Sequence, residues 1–169
     1  YQKELILPNM LRLLELAPDM RVLDLACGAG FFSRAFVDAG ARVTAVDVST
    51  DLIARAKKNV PHGAVFHVSA AERLPFLKDK SMDRVVIVLA VQNMERITEI
   101  FAECARVLKS SGRMLFVMTH PAFRVPHASS WGWDPLTSLG RAGIQYRRID
   151  RYLSESKEKI LMNPSAKKK

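Results

Sequence analysis

Arg21-Val22-Leu23-Asp24-Leu25-Ala26 runs without a break into Cys27-Gly28-Ala29-Gly30 and then Phe31-Phe32-Ser33, and this stretch decides the fold. A short, mainly apolar run is what a strand buried on both faces of a parallel sheet shows. Two glycines directly after it supply a tight turn, and the apolar residues from Phe31 to Ala39, closed by Gly40, predict a helix. The unit is therefore strand, glycine loop, helix. Such a loop lets a ligand approach the backbone, while the helix start offers unpaired amides.

Working outward, the same alternation repeats. Arg42–Asp47 reads as a second strand, Ser49–Asn59 as a helix with Ser49 at its N-cap, and Val65–Val68 as a third strand. Asp83–Ala90 is the most hydrophobic strand. Ile97, Ile100, Phe101, Cys104, Val107 and Leu108 recur at helical spacing, and Ser110-Ser111-Gly112 predicts a turn into a fifth strand, Arg113–Thr119. Upstream, Leu7, Met10, Leu11 and Leu14 form one helical stripe within residues 5–16, with Pro18 as the stop. The expected fold class is α/β: a doubly wound, mostly parallel, Rossmann-like sheet with helices on both faces. Its core covers residues 1–119. Residues 120–169 are read as a basic, lid-like segment of the same domain, in which Ile144–Leu153 alternates as a strand and Lys157–Met162 is its expected hairpin partner.

Composition narrows the function. The chain's 169 residues are 49% hydrophobic and 25% charged, the make-up of a globular unit with a substantial core. Cys27 and Cys104 form neither a disulfide framework nor a metal-ligand spacing, and His62, His67, His120 and His127 show no ligand cluster, so no metal is expected. The longest apolar run, Val85–Val91, is far shorter than the roughly 20 residues of a membrane helix, and a cytoplasmic setting with no membrane partner is expected. The net charge is +9, of which residues 120–169 hold +6, from 10 Lys/Arg and 4 Asp/Glu. That tail reads either as a solvated end or as a surface for phosphates.

In an open α/β sheet, ligands bind beyond the carboxyl ends of the strands where the strand order reverses, which places Cys27–Gly30 at the site. Asp47 ends the adjacent strand, where a carboxylate can accept hydrogen bonds from both hydroxyls of a ribose. The alternative is a purely local role, with Asp47 holding the start of the next helix. A nicotinamide dinucleotide fits poorly, because the Gly-x-Gly-x-x-Gly count from Gly28 meets Ser33 in third place and Phe31-Phe32 crowds the pyrophosphate position.

VLDLACGAGFFS (22–33), VTAVDVSTDLIARAK (43–57), SAAERLPFLKDKSMDRVVI (69–87) and ECARVLKSSGRMLFV (103–117) resemble, in order and spacing, the blocks of class I S-adenosylmethionine-dependent methyltransferases, in particular the type 11 family. The resemblance implies S-adenosylmethionine as cofactor, with Asp24, Ala26, Cys27, Gly28 and Gly30 forming the loop at its methionine end and Asp47 on its ribose. Ala26 stands where the family has glycine, a change that reads as mild. Ala70 stands where the family has the aspartate that meets adenine, leaving Val48, Leu52, Ala71 and Glu72 around the base. Leu89 and Gln92, after the fourth strand, fall beside the cofactor. No Asn-Pro-Pro-Tyr run follows that strand, which argues against methylation of exocyclic amines on DNA.

Because the methyl donor arrives activated, positioning matters more than acid–base chemistry, and His120 is the expected base if the acceptor needs one. Trp131, Trp133 and Tyr146 read as a roof over the acceptor, or as aromatic packing of a lid. Family members continue past strand 5 with a further helix and an antiparallel strand pair, and residues 144–162 are expected to be a lid placed before such elements. The expected activity is methyl transfer to a small-molecule acceptor by a monomer or homodimer. Alternatives are RNA methylation and a catalytically silent domain whose open strand 5 pairs with another chain.

Overall fold

The computed structural model describes residues 1–123, 125, 127–135, 143–150 and 152. The chain divides into two compact units, Tyr1–Met118 and Thr119–Lys169.

The first unit is the expected parallel sheet. Its strands are β1 (Arg21–Leu25), β2 (Arg42–Asp47), β3 (Ala64–Val68), β4 (Met82–Val88) and β5 (Leu108–Val117), in the order β3-β2-β1-β4-β5, every pair parallel. The helices are α1 (Leu7–Leu14), α2 (Phe31–Asp38), α3 (Thr50–Asn59) and α4 (Ile97–Val107). The order runs outward from β1 to β3, then reverses through β4 to β5. Right-handed crossovers therefore put α4 on the opposite face from α2 and α3. Successive side chains of a strand point to opposite faces, and the core follows that period. Val22 and Val86 join Met10, Leu14, Phe36 and Ile53, whereas Leu23, Leu25, Val85 and Ile87 join Leu74, Ile100 and Cys104.

Local chemistry fixes the ends. The Ser49 Oγ accepts the Leu52 amide at 3.3 Å, the expected N-cap of α3. A π-helical turn, Gln2–Ile6, precedes α1, and α1 stops at Leu14, ahead of Pro18, because Glu15 turns left-handed (φ 47°). The buried Arg84 donates from Nε to the Leu14 carbonyl at 2.7 Å, satisfying an acceptor that the stopped helix exposes.

One sequence expectation is corrected, and one strand was not expected. No turn separates α4 from β5: the strand begins at Leu108, and Ser110–Gly112 lies within a bulge where Met82 and Arg84 pair with Leu108 and Arg113. Gly112 is required there, since a Cβ would stand 2.7 Å from the Leu108 side chain and 2.9 Å from the Lys109 carbonyl oxygen. In the second unit, β7 (Ile144–Ile149) pairs antiparallel with β6 (Ser129–Asp134), a partner upstream of it. In the upstream Ser-Ser-Trp-Gly-Trp-Asp run, glycine and serine mask the alternation of a strand. Lys157–Met162 lies outside the described residues.

Candidate functional site

A cleft of about 510 Å³ opens beyond the carboxyl ends of β1, β2 and β4, where the strand order reverses. Ala26, Asp47, Val48, Ala71, Glu72 and Leu89, all expected at the site, line it. Gly28 borders it through Asp47, as described below. Asp24, Cys27, Gly30, Leu52, Ala70 and Gln92 are not among its lining residues. The cleft also takes in Ser69, Asn93, Met94 and Glu95, none of them among the expected site residues. The rule that found the glycine loop, that ligands meet whatever follows a strand end, flags Asn93–Glu95 after β4 equally well.

Asp47, 9% exposed, holds the centre. Its Oδ2 accepts the Gly28 amide and its Oδ1 the Ser49 amide, each at 2.9 Å. The carboxylate thus performs the local helix-start role and ties the glycine loop to the end of β2. Each oxygen has a second lone pair, so these bonds leave acceptor capacity towards the cleft.

The two glycines differ. A Cβ on Gly28 would meet nothing within 4 Å, so the loop is open there. At Gly30 it would lie 3.1 Å from the Ala56 Cβ and 3.3 Å from its Cα, so Gly30 exists to let α3 pack against the loop. The Asn59 Nδ2 secures the same contact by donating to the Ala29 carbonyl at 2.9 Å. Ala26 has φ +61°, the left-handed region an L-residue enters at a cost of about 1–2 kcal/mol, so its replacement of glycine is less mild than the sequence suggests. Leu89, at the end of the neighbouring β4, is strained likewise at φ +55°.

Asp24 lies beneath the loop, 1% exposed, and accepts the Ser33 hydroxyl at 2.5 Å. Burial pushes its carboxyl up to about 6, against the Ser33 hydrogen bond and with the Asp47 charge adding to the rise. The Cys27 thiol is pushed well above its ordinary range by burial and by the Asp24 and Asp47 carboxylates, so it packs as a neutral side chain.

The wall after β3 is fastened by α4. The Glu103 Oε1 accepts the Leu74 amide at 2.6 Å, and Arg106 reaches Glu103, Asp79 and the carbonyls of Leu74 and Leu77 at 2.6 to 3.1 Å. This fork explains the Glu103-Arg106 pair of the fourth block. After β4, the Gln92 Nε2 donates to the Leu89 carbonyl at 2.6 Å, while its Oε1 is buried with no hydrogen-bond partner among the described residues.

His120 belongs to the second unit. Its Nδ1 accepts the Ala122 amide at 3.3 Å, and its Nε2 lies 3.1 Å from the Tyr152 hydroxyl. Trp131, Trp133 and Tyr146 are exposed on the β6–β7 hairpin. Among the described residues there is no group of three His, Cys, Asp or Glu able to hold a metal, and no helix long and apolar enough to cross a membrane.

An open glycine at the end of β1, a carboxylate with spare acceptors at the end of β2 and a small-residue wall after β3 together suit a nucleoside with a charged tail. A model of the methyltransferase domain matches residues 23–116, which is 94 of the 169 residues. The chain belongs to that family of methyltransferase domains. The cofactor this membership implies is S-adenosylmethionine, and the open Gly28 and the Asp47 carboxylate fit it. The domain is 31% identical over 156 residues to the ubiquinone/menaquinone biosynthesis C-methyltransferase of Bordetella avium, covering 87% of this chain and 59% of that protein. It is 34% identical over 108 residues to the malonyl-[acyl-carrier protein] O-methyltransferase of Hamiltonella defensa, covering 62% and 41%. An S-adenosylmethionine-dependent methyltransferase structure from Mesorhizobium loti superposes with TM-score 0.71 at 28% identity, covering 87% of this chain and 65% of that one. The chain spans between 22% and 59% of the length of the curated relatives it matches.

Proposed function

We propose that this domain catalyses S-adenosylmethionine-dependent methyl transfer to a small-molecule acceptor. The observation that carries the reading is the Asp47 carboxylate, which faces the cleft while fixing Gly28. When bound, S-adenosylmethionine supplies an activated methyl group. The protein's task is then to hold donor and acceptor in line and to keep water out.

Each part of the cleft has a role in this reading. Asp47 accepts the ribose hydroxyls. The open face at Gly28 admits the methionine end. Val48 gives the adenine an apolar platform, and the Ala71 and Glu72 segment, held by Arg106, flanks its edge. Asn93, Met94 and Glu95 form the wall at which an acceptor enters. The names of the Bordetella and Hamiltonella relatives support a small-molecule or carrier-bound acceptor.

Calorimetry with S-adenosylmethionine and with S-adenosylhomocysteine tests the reading: saturable binding of both, weakened in Asp47→Ala, is expected. Binding of NAD in their place would overturn it. A second reading, a domain that keeps the fold but not turnover, is favoured by Ala70, which places no carboxylate where the family has one. Cofactor binding without methyl transfer to any quinol, phenol or carboxylic-acid acceptor would favour it.

A further inference from the structure

The chain carries a net charge of +9, yet among the described residues every ionisable side chain that lines the cleft is acidic. Asp47 ends β2, Glu72 follows β3 and Glu95 follows β4, so the carboxylates come from three separate strand ends. In the sheet order β3-β2-β1-β4, the strands leading to Glu72 and Glu95 stand about 14 Å apart, with that of Asp47 between them. A sphere of the cleft's volume, about 510 Å³, is about 10 Å across, close to one Debye length at physiological salt. A charge held in the cleft therefore feels all three.

The neighbouring cations are engaged elsewhere. Arg96, beside Glu95 in the chain, donates from Nη1 to Glu99 at 3.4 Å. Arg106, which fastens the wall after β3, is paired with Glu103 at 2.7 Å and with Asp79 at 2.6 Å. Arg106 and, behind it, Arg73 hold the Glu103 carboxyl below its ordinary value, so the cation next to Glu72 in the chain acts on α4. Among the described residues, no ion pair engages Glu72 or Glu95.

S-adenosylmethionine, a sulfonium, has one net positive charge. In methyl transfer the acceptor's lone pair makes the new bond to carbon, the electrons of the broken S–CH3 bond stay on sulfur, and any proton displaced from the acceptor goes to water. S-adenosylhomocysteine is left with no net charge. The two ligands share every other group, ribose hydroxyls included, so hydrogen bonding at Asp47 does not tell them apart. Resting on the reading of the cleft as the cofactor site, we propose that Glu72 and Glu95, with Asp47 between them, select the cationic methyl donor over its neutral product. The attraction is present before transfer and gone after it, which frees the cleft for fresh donor. Screened through water at about 8 Å, each carboxylate gives about a twofold preference.

Titration calorimetry on the full chain tests this with S-adenosylmethionine, S-adenosylhomocysteine and sinefungin, which bears a protonated amine where the donor bears its methylsulfonium. In Glu72→Gln combined with Glu95→Gln, affinity for S-adenosylmethionine and for sinefungin is expected to fall about fourfold, while that for S-adenosylhomocysteine changes less than about twofold. The retained product binding also shows that the variant folds. In the parent, raising salt from about 20 mM to about 500 mM shrinks the donor's advantage over the product by a similar factor. A purely structural role for the glutamates lowers all three affinities together, and that result overturns the proposal. So does a donor-to-product ratio that neither the substitutions nor salt alters. A fall for S-adenosylmethionine with sinefungin unaffected assigns the discrimination to the methyl contact and overturns it too. A parent that binds neither donor nor product overturns the methyltransferase reading itself, and this inference falls with it.

Discussion

The Asp47 carboxylate accepts the backbone amide of Gly28 at 2.9 Å, joining two positions 19 residues apart at the ends of adjacent strands. Its other oxygen accepts the Ser49 amide, so one side chain sets the loop after β1, the start of α3 and the acceptor face towards the cleft. Asp47→Ala removes all three at once. Cofactor affinity is expected to fall by about 2–4 kcal/mol, the worth of one or two charge-assisted hydrogen bonds, and stability by about 1–3 kcal/mol. Asp47→Asn sets an amide donor against either the Gly28 or the Ser49 N–H and should recover little of the binding. Titration calorimetry with parallel denaturant melts separates the two losses, and unchanged affinity in both variants refutes the ribose assignment.

Ala26 carries a left-handed backbone that glycine adopts freely. Ala26→Gly relieves about 1–2 kcal/mol of strain and gives back about 0.5–1 kcal/mol through the greater freedom of the unfolded chain. A net gain of about 0.5–1 kcal/mol follows, visible as a higher urea midpoint with the same slope. A lower midpoint would contradict the strain.

Asp24 gives a pH signature. Its carboxyl is raised from 3.8 to about 6, so between those values the folded chain binds more protons than the unfolded one. Stability from this group is therefore present at low pH and lost as pH rises through about 4 to 6, by at most about 3 kcal/mol. Asp83 and Glu103, whose carboxyls are held low by Lys109 and Arg106 respectively, act with the opposite sign, so total stability does not isolate the effect. The difference between parent and Asp24→Asn does. That variant is expected to gain relative stability from pH 4 to pH 7, and a difference flat with pH would count against the buried, raised carboxyl.

Arg106 fastens the segment that carries Ser69, Ala71 and Glu72 into the cleft. Arg106→Ala leaves the Leu74 and Leu77 carbonyls and the Glu103 carboxylate short of their donors, at a cost of about 2–3 kcal/mol. Arg106→Lys keeps the charge without the fork and is expected to recover less than half. Hydrogen exchange at the Leu74 amide should rise in both variants, with a matching loss of cofactor affinity. Unaltered exchange would place the anchoring elsewhere.

The strand–loop–helix unit at residues 21–39, the parallel alternation and the helix start at Ser49 were legible in the sequence because each rests on local propensity and apolar period. Asp47 was legible as well, since a strand end beside a glycine loop needs no distant residue to define it. The division of labour between Gly28 and Gly30 was not, because only the approach of Ala56 from α3 distinguishes the two. Nor was the strain at Ala26 and Leu89, which is a backbone angle imposed by the surrounding loops. The bulge at Ser110–Gly112 escaped because a turn and a bulge use the same residues, and pairing with Met82 and Arg84 decides between them. Glu103 and Arg106 stood in view in the sequence, but a charged pair at helical spacing reads as solvated surface until tertiary packing brings the carbonyls of Leu74 and Leu77 within reach. The sequence determined the order of elements and the ends of the strands that bear the site, because these follow from short-range sterics and side-chain period. Only the tertiary structure decided which atoms face the cleft, because burial, backbone strain and long-range hydrogen bonds exist only once distant segments meet.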